Sequence, residues 1–149
     1  MKRLILLFTL LPFISYSQYT AIPDQNFEQA LIDKGYDDKI DGKVLTSNIS
    51  TIETLELYNA NISNLSGIEG FTSLTTLQCV KNKLTSLDLS KNTALSLLYC
   101  SENQLTSLDV SECADLLHLF CDTNQLTSLN VSGLNSLYNV KCNNNQLTS

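Results

Sequence analysis

The chain is periodic, with a period of 21 residues. Asn82, Asn103, Asn124 and Asn145 fall at that interval. So do Cys79, Cys100, Cys121 and Cys142, and so do Leu74, Leu95, Leu116 and Leu137. Leu84, Leu105, Leu126 and Leu147 form a fourth column. A fixed period of this length means that one short unit is copied. The copies must stack, because a single unit cannot bury its own apolar side.

The unit can be read in detail from Leu95 to Leu105. Leu98 and Cys100 are two residues apart and share one side of a strand, while Tyr99 and Ser101 take the other. Each unit therefore adds one strand to a parallel sheet, and the Leu and Cys columns stack into a continuous core. An Asn at a fixed turn position can bond the backbone of the neighbouring coil with its amide. The return segment after Leu105 brings Leu108 and Val110 inward. It is short and carries several Ser, Asp and Asn, so extended or 3₁₀ structure is expected there rather than a long helix.

The pattern L-x-x-L-x-C-x-x-N-x-L, from about Ile52 to the end, resembles the leucine-rich repeat with Cys in place of its third Leu. An earlier coil, around Leu55-Glu56-Leu57, departs from the pattern at Ala60. It is also longer, since Leu55 to Leu77 is 22 residues. The short coils and the phrase Thr106-Ser107-Leu108-Asp109-Val110-Ser111 are similar to bacterial surface and secreted repeat proteins of the internalin-like kind. The resemblance implies an α/β solenoid: a right-handed superhelix with a parallel β-sheet on the concave face, short 3₁₀ or extended convex segments and an N-terminal helical cap. It places ligands on the concave face. It also implies a C-terminal sorting domain, of which no segment stands in this sequence.

Residues 1–17 have the layout of a secretory signal peptide: Lys2 and Arg3, an apolar run from Leu4 to Ile14, then Ser15-Tyr16-Ser17 as small-residue positions before a cut. The run is too short for a normal membrane span, which needs about 20 residues. Export to the surface or the medium is expected, with no membrane insertion after cleavage. The formal net charge of −6 becomes −8 once Lys2 and Arg3 are removed. That balance argues against nucleic acid and against anionic lipid. Residues 18–48 read as an N-terminal cap. Phe27, Ala30, Leu31 and Lys34 follow Pro23-Asp24 at helical spacing, with Gly35 as the stop. Asp41 to Thr51 reads as a first irregular strand and turn. Residues 49–149 read as the repeat domain, incomplete at its C-terminus. The sequence stops at Leu147-Thr148-Ser149 in mid-repeat. Either a longer product or self-association through the uncapped C-terminal coil is expected.

Four of the five cysteines lie in the core column of parallel strands. Neighbouring strands are about 4.8 Å apart, wider than the roughly 3.8 Å Cβ separation of a disulfide. A ladder of free, buried thiols is expected, with Cys113 in the return segment as the exposed one. Thiols stacked in a line cannot surround an ion tetrahedrally, so no zinc site is expected. His118 and Cys121 are three apart on a strand and fall on opposite faces, which rules out a nucleophile–base pair. Asp37-Asp38-Lys39-Ile40-Asp41-Gly42 has the look of half a calcium loop, but Lys39 and Asn48 stand where ligands should be; the favoured reading is a polar turn between cap helix and first strand, with Gly42 supplying the bend. No catalytic motif and no cofactor site is present, so an enzyme is not expected. The sequons at Asn48, Asn61, Asn64 and Asn130 are expected by chance in a chain this rich in Asn and Ser.

By alternation, the concave columns hold Thr54, Glu56 and Tyr58; Thr76, Gln78 and Val80; Leu97, Tyr99 and Ser101; His118, Phe120 and Asp122; and Asn139, Lys141 and Asn143. These positions do not repeat, while the core does. Tyr58, Leu97, Tyr99, His118, Phe120, Asp122 and Lys141 are the candidate ligand-binding residues, the aromatic ones serving as anchors. The function expected is an extracellular or cell-surface binding module with a protein or glycan partner. The alternative is a structural spacer or stalk in a larger exported adhesin or enzyme.

Overall fold

A computed structural model describes residues 18–148; the signal-peptide reading of residues 1–17 lies outside the described residues. The periodic part forms one five-stranded parallel sheet from β3 (Thr54–Glu56), β4 (Thr76–Gln78), β5 (Leu97–Tyr99), β6 (His118–Phe120) and β7 (Asn139–Lys141), in sequence order. Neighbours pair in register: Leu55 with Leu77, Leu77 with Leu98, Leu98 with Leu119, and Leu119 with Val140. The period of 21 is thus the chain length of one full coil. Alternation works as expected, with Leu55, Leu77, Leu98 and Leu119 buried and their strand neighbours facing solvent.

The Asn column ties the coils together. Asn103 Nδ2 donates to the Cys79 carbonyl of the preceding coil (2.9 Å) and to Cys100 of its own (3.1 Å), while Oδ1 accepts from Leu84 N (3.1 Å). Asn124 repeats the pattern with Cys100, Cys121 and Leu105, and Asn145 with Cys121, Cys142 and Leu126. Asn82 reaches back to Leu57 O and accepts from Ile62 N and Ala60 N. Ala60 departs from the column because no coil precedes it to be bridged. The residue before each column Asn from Lys81 onward adopts a left-handed backbone: Lys81, Glu102, Thr123 and Asn144 have φ between 55° and 59°.

The convex side is built from turns. Asp88, Asp109 and Asn130 each accept from the amide two residues on, at Ser90, Ser111 and Ser132. A 3₁₀ turn spans Ile68–Gly70. Cys113 corrects the expectation of an exposed thiol: it is fully buried. It stands 21 residues after Asn92, which is itself buried and donates to Ile68 O and Phe71 O of the preceding coil. Cys113 fills the same slot one coil on, with its Sγ 3.8 Å from Asn92 O. Burial pushes its thiol pKa up to about 11.

Before the solenoid come β1 (Tyr19–Ala21), α1 (Gln25–Asp33), β2 (Lys43–Leu45) and a helical turn α2 (Thr46–Ile49). β2 pairs antiparallel with β1 and belongs to no solenoid sheet. Asp41 to Thr51 therefore holds a strand of the two-stranded cap sheet and a helical turn, where an irregular first strand and turn was expected. Phe27 and Leu31, one turn apart on α1, are buried, and Phe27 stacks on Phe71 of the first coil (6.2 Å between centroids). Asp24 serves both units. Its Oδ1 caps α1 by accepting from Asn26 N (2.9 Å) and Phe27 N (3.1 Å), while Oδ2 accepts from Ser63 N, Ser63 Oγ and Asn64 N. The loop 37–42 turns its backbone donors inward. The amides of Asp41, Gly42 and Lys43 all donate to Oε1 of the buried Glu28.

Candidate binding face

The outward residues of β3–β7 form the concave surface, and register sets which side chains meet. Tyr99 and Phe120 are paired positions on adjacent strands. Their rings stack with centroids 4.8 Å apart and planes within 3°. The strand spacing, about 4.8 Å, suits parallel rings. His118 stacks on Phe120 at 6.2 Å, and the Lys141 ammonium lies 5.1 Å from the Phe120 centroid. Leu97 pairs with His118 in the same rows. Five of the expected residues, Leu97, Tyr99, His118, Phe120 and Lys141, are thus brought together.

The other two stand apart from this row. Tyr58 is 60% exposed on the first coil, with the Lys81 ammonium 5.4 Å from its ring centroid. A hydrogen bond donated by the Lys81 ammonium to the Tyr58 hydroxyl oxygen, and the nearby Glu102 carboxylate, raise the Lys81 pKa. Asp122 accepts from Ser101 Oγ at 2.7 Å and is committed to the neighbouring coil.

Sequence reasoning missed Leu117 and Tyr138. They occupy the position just before the strand, where alternation predicts nothing, and are 42% and 86% exposed. Tyr138 meets the His118 ring edge-on at 6.0 Å and so extends the patch. Their backbones are fixed coil to coil: Leu117 N donates to Ser96 O and Tyr138 N to Leu117 O. A signal was available. The column Thr75, Ser96, Leu117, Tyr138 does not repeat, unlike the core Leu column beside it.

His118 and Cys121 are on opposite sides of the sheet, the ring in the concave stack and the thiol fully buried. Burial pushes the Cys121 thiol up to about 12, far from the range of a nucleophilic thiolate. Cys79 is likewise pushed to about 12, and Cys100 well up, by burial. All five cysteines are free. Among the described residues no group of three or more His, Cys, Asp or Glu is placed to hold a metal ion, and no helix is long and apolar enough to cross a membrane.

In-register parallel strands, an Asn ladder and a Leu/Cys core define a leucine-rich repeat solenoid of the internalin-like type with 21-residue repeats. Solved structures agree. The functional domain of InlJ from Listeria monocytogenes, described as including a cysteine ladder, is 37% identical over 88% of this chain and 30% of its own length, with a TM-score of 0.80. Internalin InlF of the same organism matches at 17% identity and a TM-score of 0.72, over 87% of this chain and 46% of that one. A leucine-rich repeat protein of Leptospira interrogans matches at 29% identity and a TM-score of 0.64, over 68% of this chain and 28% of its own. The chain therefore spans under half the length of each of these three structures. No protein-family model and no curated protein matches the chain.

Proposed function

We propose that the chain acts outside the cell as a protein-binding module, with residues 18–48 as its N-terminal cap and the concave face of residues 49–149 as its contact surface. The internalin-like repeat fold supports a protein-interaction role in general. The observation that carries the specific reading is the continuous patch of Leu97, Tyr99, His118, Phe120, Leu117 and Tyr138 on a rigid sheet. Aromatic side chains fixed by the backbone lose little entropy on binding and serve as anchors. Lys141 adds a positive charge at its edge.

The stacking favours a protein over a glycan. A sugar packs on an open aromatic face. The faces of Phe120 are taken by Tyr99 and by the Lys141 ammonium, so Phe120, at the centre of the patch, offers an edge. Aliphatic and aromatic side chains of a protein can pack against such edges. Export by residues 1–17 is part of the same proposal, and no catalytic role is assigned.

The test is capture by the immobilised chain of protein and of glycan arrays in parallel. Tyr138→Ala and Phe120→Ala should each weaken capture of a protein partner by about 10-fold or more, an anchor being worth at least about 1.4 kcal/mol. Far-UV circular dichroism should not change. Capture that survives both substitutions would refute the patch, and capture of glycans alone would refute the partner class. A second reading, a spacer within a longer exported protein, is favoured by one observation: the InlJ domain is more than three times the length matched here.

A further inference from the structure

The first strand of the solenoid sheet has an edge with no strand beside it. β3 pairs with β4 alone, and the cap strands β1 and β2 pair only with each other. Successive residues of a strand turn their amide and carbonyl to opposite edges. The bonds to β4 leave from the odd positions: Glu53 O accepts from Thr76 N (3.0 Å), Leu57 N donates to Gln78 O (2.7 Å) and Asn59 N to Val80 O (3.0 Å). Thr54, Glu56 and Tyr58 therefore turn their backbone groups to the outer edge. In later coils the equivalent positions bond backwards, Leu97 N donating to Thr75 O (3.0 Å) and His118 N to Ser96 O (3.2 Å). On β3 there is no preceding coil, and the amides of Thr54, Glu56 and Tyr58 have no acceptor among the described residues.

This edge is accessible and acidic. Thr54, Glu56 and Tyr58 are exposed, and so is Glu53 at the entry to the strand. Neither glutamate has an ion-pair partner among the described residues. The cap buries the core beneath the first coil through Phe27 and Ile49 but supplies no strand to the sheet. An edge of unpaired amides and carbonyls takes up an extended chain, and its charge selects which one. Edge-to-edge pairing of two copies would set the Glu53 and Glu56 of one against those of the other, and charged edges oppose such self-pairing. A strand with Lys or Arg at alternate positions meets no such repulsion. Paired side chains on one face of adjacent strands stand about 5 Å apart, so a basic residue opposite Glu56 is within ion-pair reach.

We infer that the outer edge of β3 receives an extended basic segment of a partner protein as a sixth strand of the sheet. The inference does not depend on the aromatic patch, which begins two strands away on β5. The probe is a labelled peptide of about seven residues alternating Lys with Val, long enough to span the edge positions. Lys side chains on the concave side place the Lys amides toward β3, so these amides form the ladder. Binding to the full chain is followed by fluorescence anisotropy, and amide exchange by NMR. Binding is expected, with slowed exchange at Thr54, Glu56 and Tyr58. N-methylation of the Lys amides should weaken it by about 10-fold or more, since each hydrogen bond lost is worth about 2–10-fold; N-methylation of the Val amides should leave it intact. A peptide with Glu in place of Lys should not bind, and Glu56→Lys should weaken the Lys peptide by about 5-fold or more. Phe120→Ala should bind it as the parent does, which separates failure at this edge from failure of the patch. Absence of binding, equal loss from the two methylated peptides, unchanged binding by a folded Glu56→Lys variant, or loss of binding in Phe120→Ala would overturn the inference.

Discussion

Replacing Asn103 by Ala tests whether the amide ladder, rather than the apolar core alone, holds the coils in register. The substitution removes one acceptor and the donors that bridge two coils. Leu84 N loses Oδ1 at 3.1 Å, and Cys79 O and Cys100 O lose Nδ2 at 2.9 and 3.1 Å. These groups are buried, as is Asn103 itself at 9% exposure. A buried polar group left without a partner costs about 1–3 kcal/mol, and partial access of water to the cavity lowers the sum, so a loss of about 3–5 kcal/mol is expected. Domains of this size have a total stability of about 5–15 kcal/mol, so the loss is a large share of the whole. Urea unfolding followed by circular dichroism measures it as a fall in midpoint. Asn145→Ala is the internal control. It removes the same set of bonds at a half-exposed site where water can replace them, and should cost about 1 kcal/mol. Asn103→Asp should not rescue, because it keeps the acceptor for Leu84 and loses both bridging donors. A cost for Asn103→Ala no greater than that for Asn145→Ala would refute the reasoning, since burial of the bridge is what separates the two.

Three further outcomes can be checked by melting or unfolding curves. Thr123→Gly should stabilise the chain by about 0.5–1 kcal/mol, because a β-branched residue at φ 55° carries strain that outweighs the entropy cost of Gly; an equal gain from Thr123→Ala would deny the strain. Cys100→Ser should cost about 1–3 kcal/mol by burying a hydroxyl with no assured partner, and an unchanged melting temperature would place that side chain outside the core. Burial raises the Asp24 pKa, but hydrogen bonds from Ser63, Phe27 and Asn64 outweigh it and the net shift is downward. Its stabilising contribution is therefore full above the ordinary carboxylate pKa of about 4 and is lost as pH falls through the lowered folded value. Asp24→Asn should cost about 1–2 kcal/mol at neutral pH and flatten the acid limb of the stability profile; an acid limb unchanged from the parent would remove Asp24 from the clamp.

What could be read in the sequence was whatever repeats. Leu98, Cys100 and Asn103 recur because every coil must present the same shape to its neighbours, and from them came the sheet, its register and the amide ladder. Cys113 was misread because its column, Asn92, Cys113, Leu134, changes residue type from coil to coil while keeping one buried slot. The left-handed positions at Lys81, Glu102, Thr123 and Asn144 share no side chain, since the turn constrains the backbone and not its chemistry. Tyr138 and Leu117 were missed because the residue entering a strand obeys neither the alternation of the strand nor the period of the core. Asp24 and Glu28 were hidden for another reason. Their partners, Ser63 and the amides of 41–43, are brought near only by the completed fold.

The chain contains no tryptophan and its cysteines are free, so its near-ultraviolet spectrum belongs to tyrosine and phenylalanine. Three of its tyrosines, Tyr58, Tyr99 and Tyr138, lie on the concave face. Tyr99 is held parallel to Phe120 at 4.8 Å, a geometry that couples ring transitions and gives them a handed environment. The proposed binding face therefore carries its own chromophores: a partner docking there must desolvate or displace these rings, and circular dichroism near 280 nm would register contact without a label.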